Sequence, residues 1–204
     1  LRTYLAAMQP KRLHPAYHLT AYTGMRRGEV LGLRWSDVDL DAARLSVNQA
    51  LILVDYDMQI SDVKTGNGRR AIDLDPTTVD VLRAWRKTRI SEAGKRACNG
   101  LVFVKENGDP INPDYFSQLH DRTVAKLDIP RITFHDLRHT HATLLLKAGV
   151  PVKLVSERLG HANAAFTMTV YQHLIPGMQA EAANTFADLL RKPDDPDAPV
   201  PAAA

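Results

Sequence analysis

The chain reads as an α+β protein, mainly α-helical: a helical domain with a small antiparallel three-stranded sheet on one edge. Three observations predict this class. Apolar residues recur at helical spacing on both sides of residues 44–74, glycine and proline punctuate the ends of those stretches, and between Arg44 and Leu74 the pattern changes to β-branched runs. Strands do not alternate with helices along the chain, which excludes a βαβ architecture, and the strands are too few for a sandwich.

Each element has a local reason. Residues from about His14 to Tyr22 and from Arg26 to Leu33 form two short helices interrupted at Thr23-Gly24, glycine being the usual helix terminator. The runs Leu45 to Val54, Met58 to Val63 and Arg70 to Leu74 predict strands, with Asn67-Gly68 as a hairpin turn. Asp75-Pro76 then starts a helix with proline at its first position, and Val79, Leu82 and Trp85 keep helical spacing up to Gly94. Leu101 to Val104 predicts a short buried strand, Asn107 to Pro110 a turn, and Asn112-Pro113 another helix through Lys126. From Thr133 the chain is helical with stops at Gly149 to Pro151, Gly160 and Pro176-Gly177. Met178 to Arg191 is a last amphipathic helix with Ala182, Phe186, Leu189 and Leu190 near one face, and its apolar side suits its own domain or a neighbour equally. One domain is expected over residues 1–191, followed by a disordered Pro/Ala/Asp tail over 192–204. The chain opens on Leu1, with neither methionine nor signal peptide, so a preceding amino-terminal domain is expected to be missing from it.

At 204 residues, 45% hydrophobic and 24% charged, the chain can bury a core, and no apolar run approaches the ~20 residues that span a bilayer. No membrane association is expected. The single cysteine, Cys98, rules out an internal disulfide framework, fits a cytoplasmic location and sits in a polar turn with no sign of a reactive niche. The net charge is +3, but residues 193–204 carry three aspartates and no base, which leaves 26 basic against 20 acidic residues, or +6, on the rest. Such a balance suits a polyanionic partner without identifying one.

Chemistry concentrates at separated points. His135, Arg138 and His139 lie three and four residues apart, so one helix face presents all three. Arg138 offers a planar fork for two phosphate oxygens, and a histidine beside it can donate a hydrogen bond or move a proton near neutral pH. Arg26 opens another helix, where free backbone N–H groups also favour an anion. Glu29, one turn later, either holds the Arg26 guanidinium or is an ordinary surface acid. Lys64, near a strand end beside the turn at 66–68, either reaches into a groove as a proton donor or simply stays solvated. Two histidines at i and i+4 with a neighbouring acid, and His161 as a third ligand, also resemble a zinc-protease helix. That reading is poor because the acid is Asp136 where glutamate is needed and cationic Arg138 stands between the ligands. His139, His141 and His173 are assigned mainly to satisfying buried polar groups. Tyr171 alone would be a core residue, since a phenol becomes a useful nucleophile only where cations stabilise the phenolate and the phosphorane together.

Taken together, Thr23-Gly24-Met25-Arg26-Arg27-Gly28-Glu29 through Val38, Lys64-Thr65 before Arg69-Arg70, His135 to His139, Leu159-Gly160-His161 and Tyr171 resemble the tyrosine recombinases, the phage-type integrase family. The likeness runs in order over most of residues 1–190. It implies that Arg26 and Arg138 clamp a phosphate, Lys64 is the acid for the leaving 5′ oxygen, His135 and His161 assist, Tyr171 is the nucleophile and Glu29 supports Arg26. The implied activity is site-specific DNA recombination or integration through a 3′-phosphotyrosyl intermediate, with double-stranded DNA as partner and no ATP, metal or other cofactor. It also implies a homotetramer on two duplexes, weakly associated or monomeric without DNA. Asp73, where relatives often carry a proline nearby, departs from the pattern and puts the strand register in question. Two alternatives use some of the same residues: a type IB topoisomerase-like nicking and rejoining enzyme, and a catalytically idle DNA-binding module. The full set of six residues argues against the idle module.

Overall fold

A computed structural model describes residues 1–62, 68–94, 99–161, 165 and 178–190. Lys64, Cys98, Tyr171, His173 and the tail 192–204 lie outside the described residues. The fold is α+β and mainly helical, as the sequence predicts. Helix α1 (Arg2–Met8), not among the elements expected from the sequence, precedes α2 (His14–Thr23) and α3 (Arg27–Gly32). Strands β1 (Val38–Asp39), β2 (Arg44–Val47), β3 (Gln49–Val54), β4 (Asp57–Asp62) and β5 (Arg70–Asp73) follow, then α4 (Pro76–Ala93), α5 (Pro113–Val124), α6 (Phe134–Lys147), α7 (Val152–Leu159) and α8 (Met178–Leu190).

Helix starts follow the punctuation. Asp75 accepts hydrogen bonds from the Thr78 amide and hydroxyl, with Pro76 at the first position of α4, and the Asn112 side chain caps α5 before Pro113. Thr133 and Asp136 form a reciprocal capping box on α6. Gly24 and Gly160 end α2 and α7 in left-handed conformation. Helix α2 is buried on nearly every side, with Tyr17 stacked on Phe116 at 4.3 Å and donating to its carbonyl at 2.7 Å. It forms the axis of the main core. A smaller cluster of Ala142, Leu146, Val155 and Leu159 joins α6 to α7. No described helix is long and apolar enough to cross a membrane.

The sheet corrects the sequence reading. A three-stranded antiparallel sheet is present in the order β1-β2-β5, but the run 45–54 is split at Asn48, and β5 pairs with β2 instead of β4. β4 pairs with β3 in a separate two-stranded ribbon. Val47 faces Arg70 and Gln49 faces Asp62, so the two ladders adjoin across Asn48. The tip of the β3–β4 hairpin is Asp55-Tyr56, both at positive φ (48° and 67°); Asn67, in the turn expected at Asn67-Gly68, lies outside the described residues. Asp73 sits in register opposite Arg44 with an ion pair at 2.6 Å. Leu101 to Val104 is largely buried as expected, yet it makes only isolated bridges, Arg34 with Leu101 and Val104 with Pro110, in place of a strand.

Candidate active site

The corner between α2 and α3 organises the site. A Cβ on Gly24 would meet Leu159 Cδ2 at 2.5 Å and His141 Cδ2 at 2.9 Å, so only glycine, at φ +68°, lets this corner close against α6 and α7. At the end of α3, Gly32 allows a similar close approach, since a Cβ there would lie 2.7 Å from the Leu51 amide nitrogen of β3.

Both arginines predicted to clamp phosphate meet at this corner. Arg138 is 3% exposed and donates from Nη1 to the Gly24 carbonyl at 2.7 Å. Two residues after Gly24, Arg26 caps α3 with a side chain 44% exposed. Its Nη1 donates to Glu29 Oε1 at 2.8 Å and its amide to Glu29 Oε2 at 2.8 Å, while Nη2 reaches the Gly160 carbonyl at 3.3 Å. Glu29 is therefore no surface acid. Burial pushes its carboxyl up, but the paired guanidiniums of Arg70 and Arg26 outweigh burial and hold it below its usual range.

Arg70 is the residue that sequence reasoning missed. Its Nη1 and Nη2 donate to the Glu29 oxygens at 3.1 and 2.8 Å, and its Nε donates to the Arg158 carbonyl at 2.7 Å. Alternation along β5, with Arg70 in phase with buried Ile72, was the available signal. Arg158 in turn donates to His141 Nε2, the Asp73 carbonyl and the Tyr22 carbonyl at 3.1 to 3.2 Å. His141 faces the Ala21 carbonyl through Nδ1 at 3.1 Å, so that nitrogen carries the proton and Nε2 accepts from Arg158. Burial, with Arg158 and Arg138 adding to it, lowers its pKa to about 4. Its assignment to buried polar satisfaction agrees with this geometry.

His161 follows Gly160 and donates its amide to the Ser156 carbonyl at 3.0 Å. Burial lowers its imidazole pKa to about 4, and the nearby cations Arg138, Arg26 and Arg70, with His139, push the same way. His135 is exposed and also lowered, by burial first and then by His139, Arg138 and Arg26. The structure thus brings Arg26, His135, Arg138, His161 and Glu29 together. His139 packs edge-on against His135 with centroids 4.6 Å apart, which brings it nearer the cluster than the assignment to buried polar satisfaction suggests. The three residues 135, 138 and 139 do not share one exposed face, because Arg138 turns into the core. Beside them lies an open depression of about 370 Å³ lined by Arg27, Arg131, Thr133, His135 and Arg138 among others. Lys64 and Tyr171 lie outside the described residues. Among the described residues no three His, Cys, Asp or Glu side chains group to hold a metal ion.

An arginine pair on a glycine corner with two histidines beside it has the charge and donors to bind a phosphate, and the family model of the phage integrase family matches residues 2–177. The chain belongs to the phage integrase family. It is 32% identical over 90% of its length to a XerC-like tyrosine recombinase of Caldanaerobacter subterraneus, and 30% identical over 89% to the ICEBs1 integrase of Bacillus subtilis. It spans about half the length of these relatives, 51% and 50%. Among solved structures, the Tn1549 transposon integrase in complex with circular intermediate DNA superposes with a TM-score of 0.77 at 25% identity, covering 90% of this chain and 64% of that one. The XerA recombinase shares the fold, with a TM-score of 0.69 at 24% identity over 94% and 63% of the two chains. The fold is that of a tyrosine recombinase catalytic domain.

Proposed function

We propose that this domain cleaves and rejoins double-stranded DNA in site-specific recombination, through a covalent 3′-phosphotyrosyl intermediate. The observation that carries this reading is the convergence of Arg26 and Arg138 on the Gly24 to Arg26 corner with His135 and His161 beside them. Two guanidiniums held by the backbone neutralise the non-bridging oxygens of the scissile phosphate without reorganising as charge develops. Tyr171 Oη attacks phosphorus as its phenolic proton passes to a neighbouring base, the bond to O5′ breaks, and Lys64 or a histidine protonates the departing 5′ oxygen to give a hydroxyl. A 5′ hydroxyl from the partner duplex then attacks phosphorus, the phosphotyrosyl bond breaks, and the phenol is restored. The phosphodiester energy is conserved in the covalent link, so the reaction consumes no ATP, and the fixed cations stand where other phosphoryl-transfer enzymes use metal ions.

Assembly as a tetramer on two duplexes belongs to this reading. Phe186 and Leu189 of α8 are 64% and 78% exposed, so these two apolar side chains are not covered by the described residues. That favours a neighbour as their seat, and synapsis by several protomers over the single-protomer relaxation of a topoisomerase-like enzyme.

The test is a nicked suicide duplex built from the DNA flanking the gene. A covalent adduct is expected in EDTA, and none with Tyr171→Phe. An adduct that needs Mg²⁺, or one that persists in the phenylalanine variant, contradicts the mechanism.

A further inference from the structure

Arg26 and Arg70 approach Glu29 from opposite elements and make matching contacts. Each guanidinium donates to a Glu29 oxygen, and each donates to a carbonyl at the end of α7: Arg26 to Gly160 at 3.3 Å, Arg70 to Arg158 at 2.7 Å. Carbonyls in a helix's last turn have no intrahelical partner, and cations there also meet the negative end of the helix dipole. One buried carboxylate and two guanidiniums therefore tie the start of α3, the first residue of β5 and the end of α7 into one unit, with His161 the next residue along.

We propose that Arg70 is a positioning residue for the phosphate-binding group formed by Arg26 and His161. The roles of Arg26 and His161 rest on the reading given above. The charge count explains why a second arginine is needed. Glu29 with Arg26 alone is a neutral pair, and such a pair offers an incoming phosphate little attraction; adding Arg70 leaves the trio with one net positive charge, carried on the exposed Arg26. Arg70 also fixes geometry that charge alone does not. Its planar fork spans Glu29 and the Arg158 carbonyl at once, whereas the ammonium of lysine is a point charge that cannot hold both. Without the fork, the end of α7 keeps the Arg158 side-chain bond to the Asp73 carbonyl but loses its carbonyl's tie to the first residue of β5, and Arg26 is drawn inward as the sole partner of Glu29.

Arg70→Lys and Arg70→Gln separate the two effects, with folding checked by circular dichroism and melting temperature. The first readout needs no DNA. His161, which titrates far below 6.5 because burial, Arg138, Arg26, Arg70 and His139 act on it together, is followed by NMR. In Arg70→Lys, which keeps the charge, its pKa is expected to rise toward 6.5 as the α7 end loosens. The second readout is single-turnover cleavage of suicide duplexes with an ordinary phosphate or an uncharged methylphosphonate at the scissile position. Arg70→Gln is expected to lose at least about tenfold on the phosphate, the scale of losing one preorganised charge contact, and to recover most of that on the methylphosphonate, where no anion needs neutralising. The double variant Arg26→Ala/Arg70→Gln should be no slower than Arg26→Ala. A wild-type His161 titration in Arg70→Lys, or an equal loss on both substrates in Arg70→Gln, overturns the proposal. If the wild-type protein cleaves neither substrate, the proposed function fails, and the titration still decides the role of Arg70.

Discussion

Two regions of this molecule are built on opposite terms. At the α2–α3 corner the charged side chains are tied to one another and to the backbone: Glu29 to Arg26 and Arg70, Arg158 to three different elements, Arg138 to the carbonyl of Gly24. The β3–β4 ribbon, by contrast, projects with Ile52, Val54, Met58 and Ile60 partly exposed and Tyr56 98% exposed at its tip. The phosphate clamp proposed for this corner works only if its donors are already in place, which requires that many contacts determine each of them. The outer part of the ribbon has no such demand: its base at Gln49 and Leu51 packs on α3, but beyond that its sequence is held by little except its own ladder. Substitutions should therefore be costly at the corner and cheap on the ribbon.

The largest effect is expected for Glu29→Ala. It leaves the Arg70 guanidinium buried without its carboxylate, a loss of about 3 to 5 kcal/mol, readable in urea unfolding, together with loss of cleavage. Loss of activity without loss of stability would mean that Glu29 serves Arg26 alone. Next is Gly24→Ala, where a positive φ and a contact at 2.5 Å combine for about 2 to 4 kcal/mol. A wild-type melting temperature for this variant would show that the corner can shift.

Acid should also act on the corner. His141 is held neutral with a pKa of about 4, so the unfolded chain, whose histidines titrate near 6.5, binds the proton more readily than the folded one. Stability therefore falls as pH drops from 6.5 to 4, by about 3 kcal/mol for this one buried group. His18, lowered to about 4 mainly by burial, adds a loss of the same sign. Thermal unfolding across that range tests this, and His141→Gln should flatten the curve.

The smallest effect belongs to the ribbon. Tyr56→Gly places glycine at a left-handed hairpin position and removes a side chain that is almost wholly in solvent, so stability should be unchanged or rise by up to about 1 kcal/mol. A drop of more than that would show that the ribbon tip is held as tightly as the corner.

The same contrast explains what was legible in the sequence. Helix boundaries were readable because Asp75-Pro76, Asn112-Pro113, Thr133 and Gly160 act within a few residues of themselves. His135 and Arg138 were readable as neighbours because helix geometry converts their spacing into proximity, whereas Arg26, on another helix, was joined to them by the family resemblance. Strand pairing was not, because Val47 opposite Arg70 is a contact across 23 residues with no local mark, and Asn67-Gly68 is a stronger hairpin signal than Asp55-Tyr56. Arg70 was hidden for a related reason. Beside Arg69 it reads as a member of a basic run, and only the ladder and Glu29 distinguish the inward arginine from its neighbour.

The central claim is that these cations serve a tyrosine that becomes covalently bound to DNA. The most direct measurement is tandem mass spectrometry of the trapped protein–DNA adduct after digestion of both components. The expected product is a nucleotide attached through a 3′ phosphate to the peptide containing Tyr171. Attachment to any other residue, or through a 5′ phosphate, would contradict the claim.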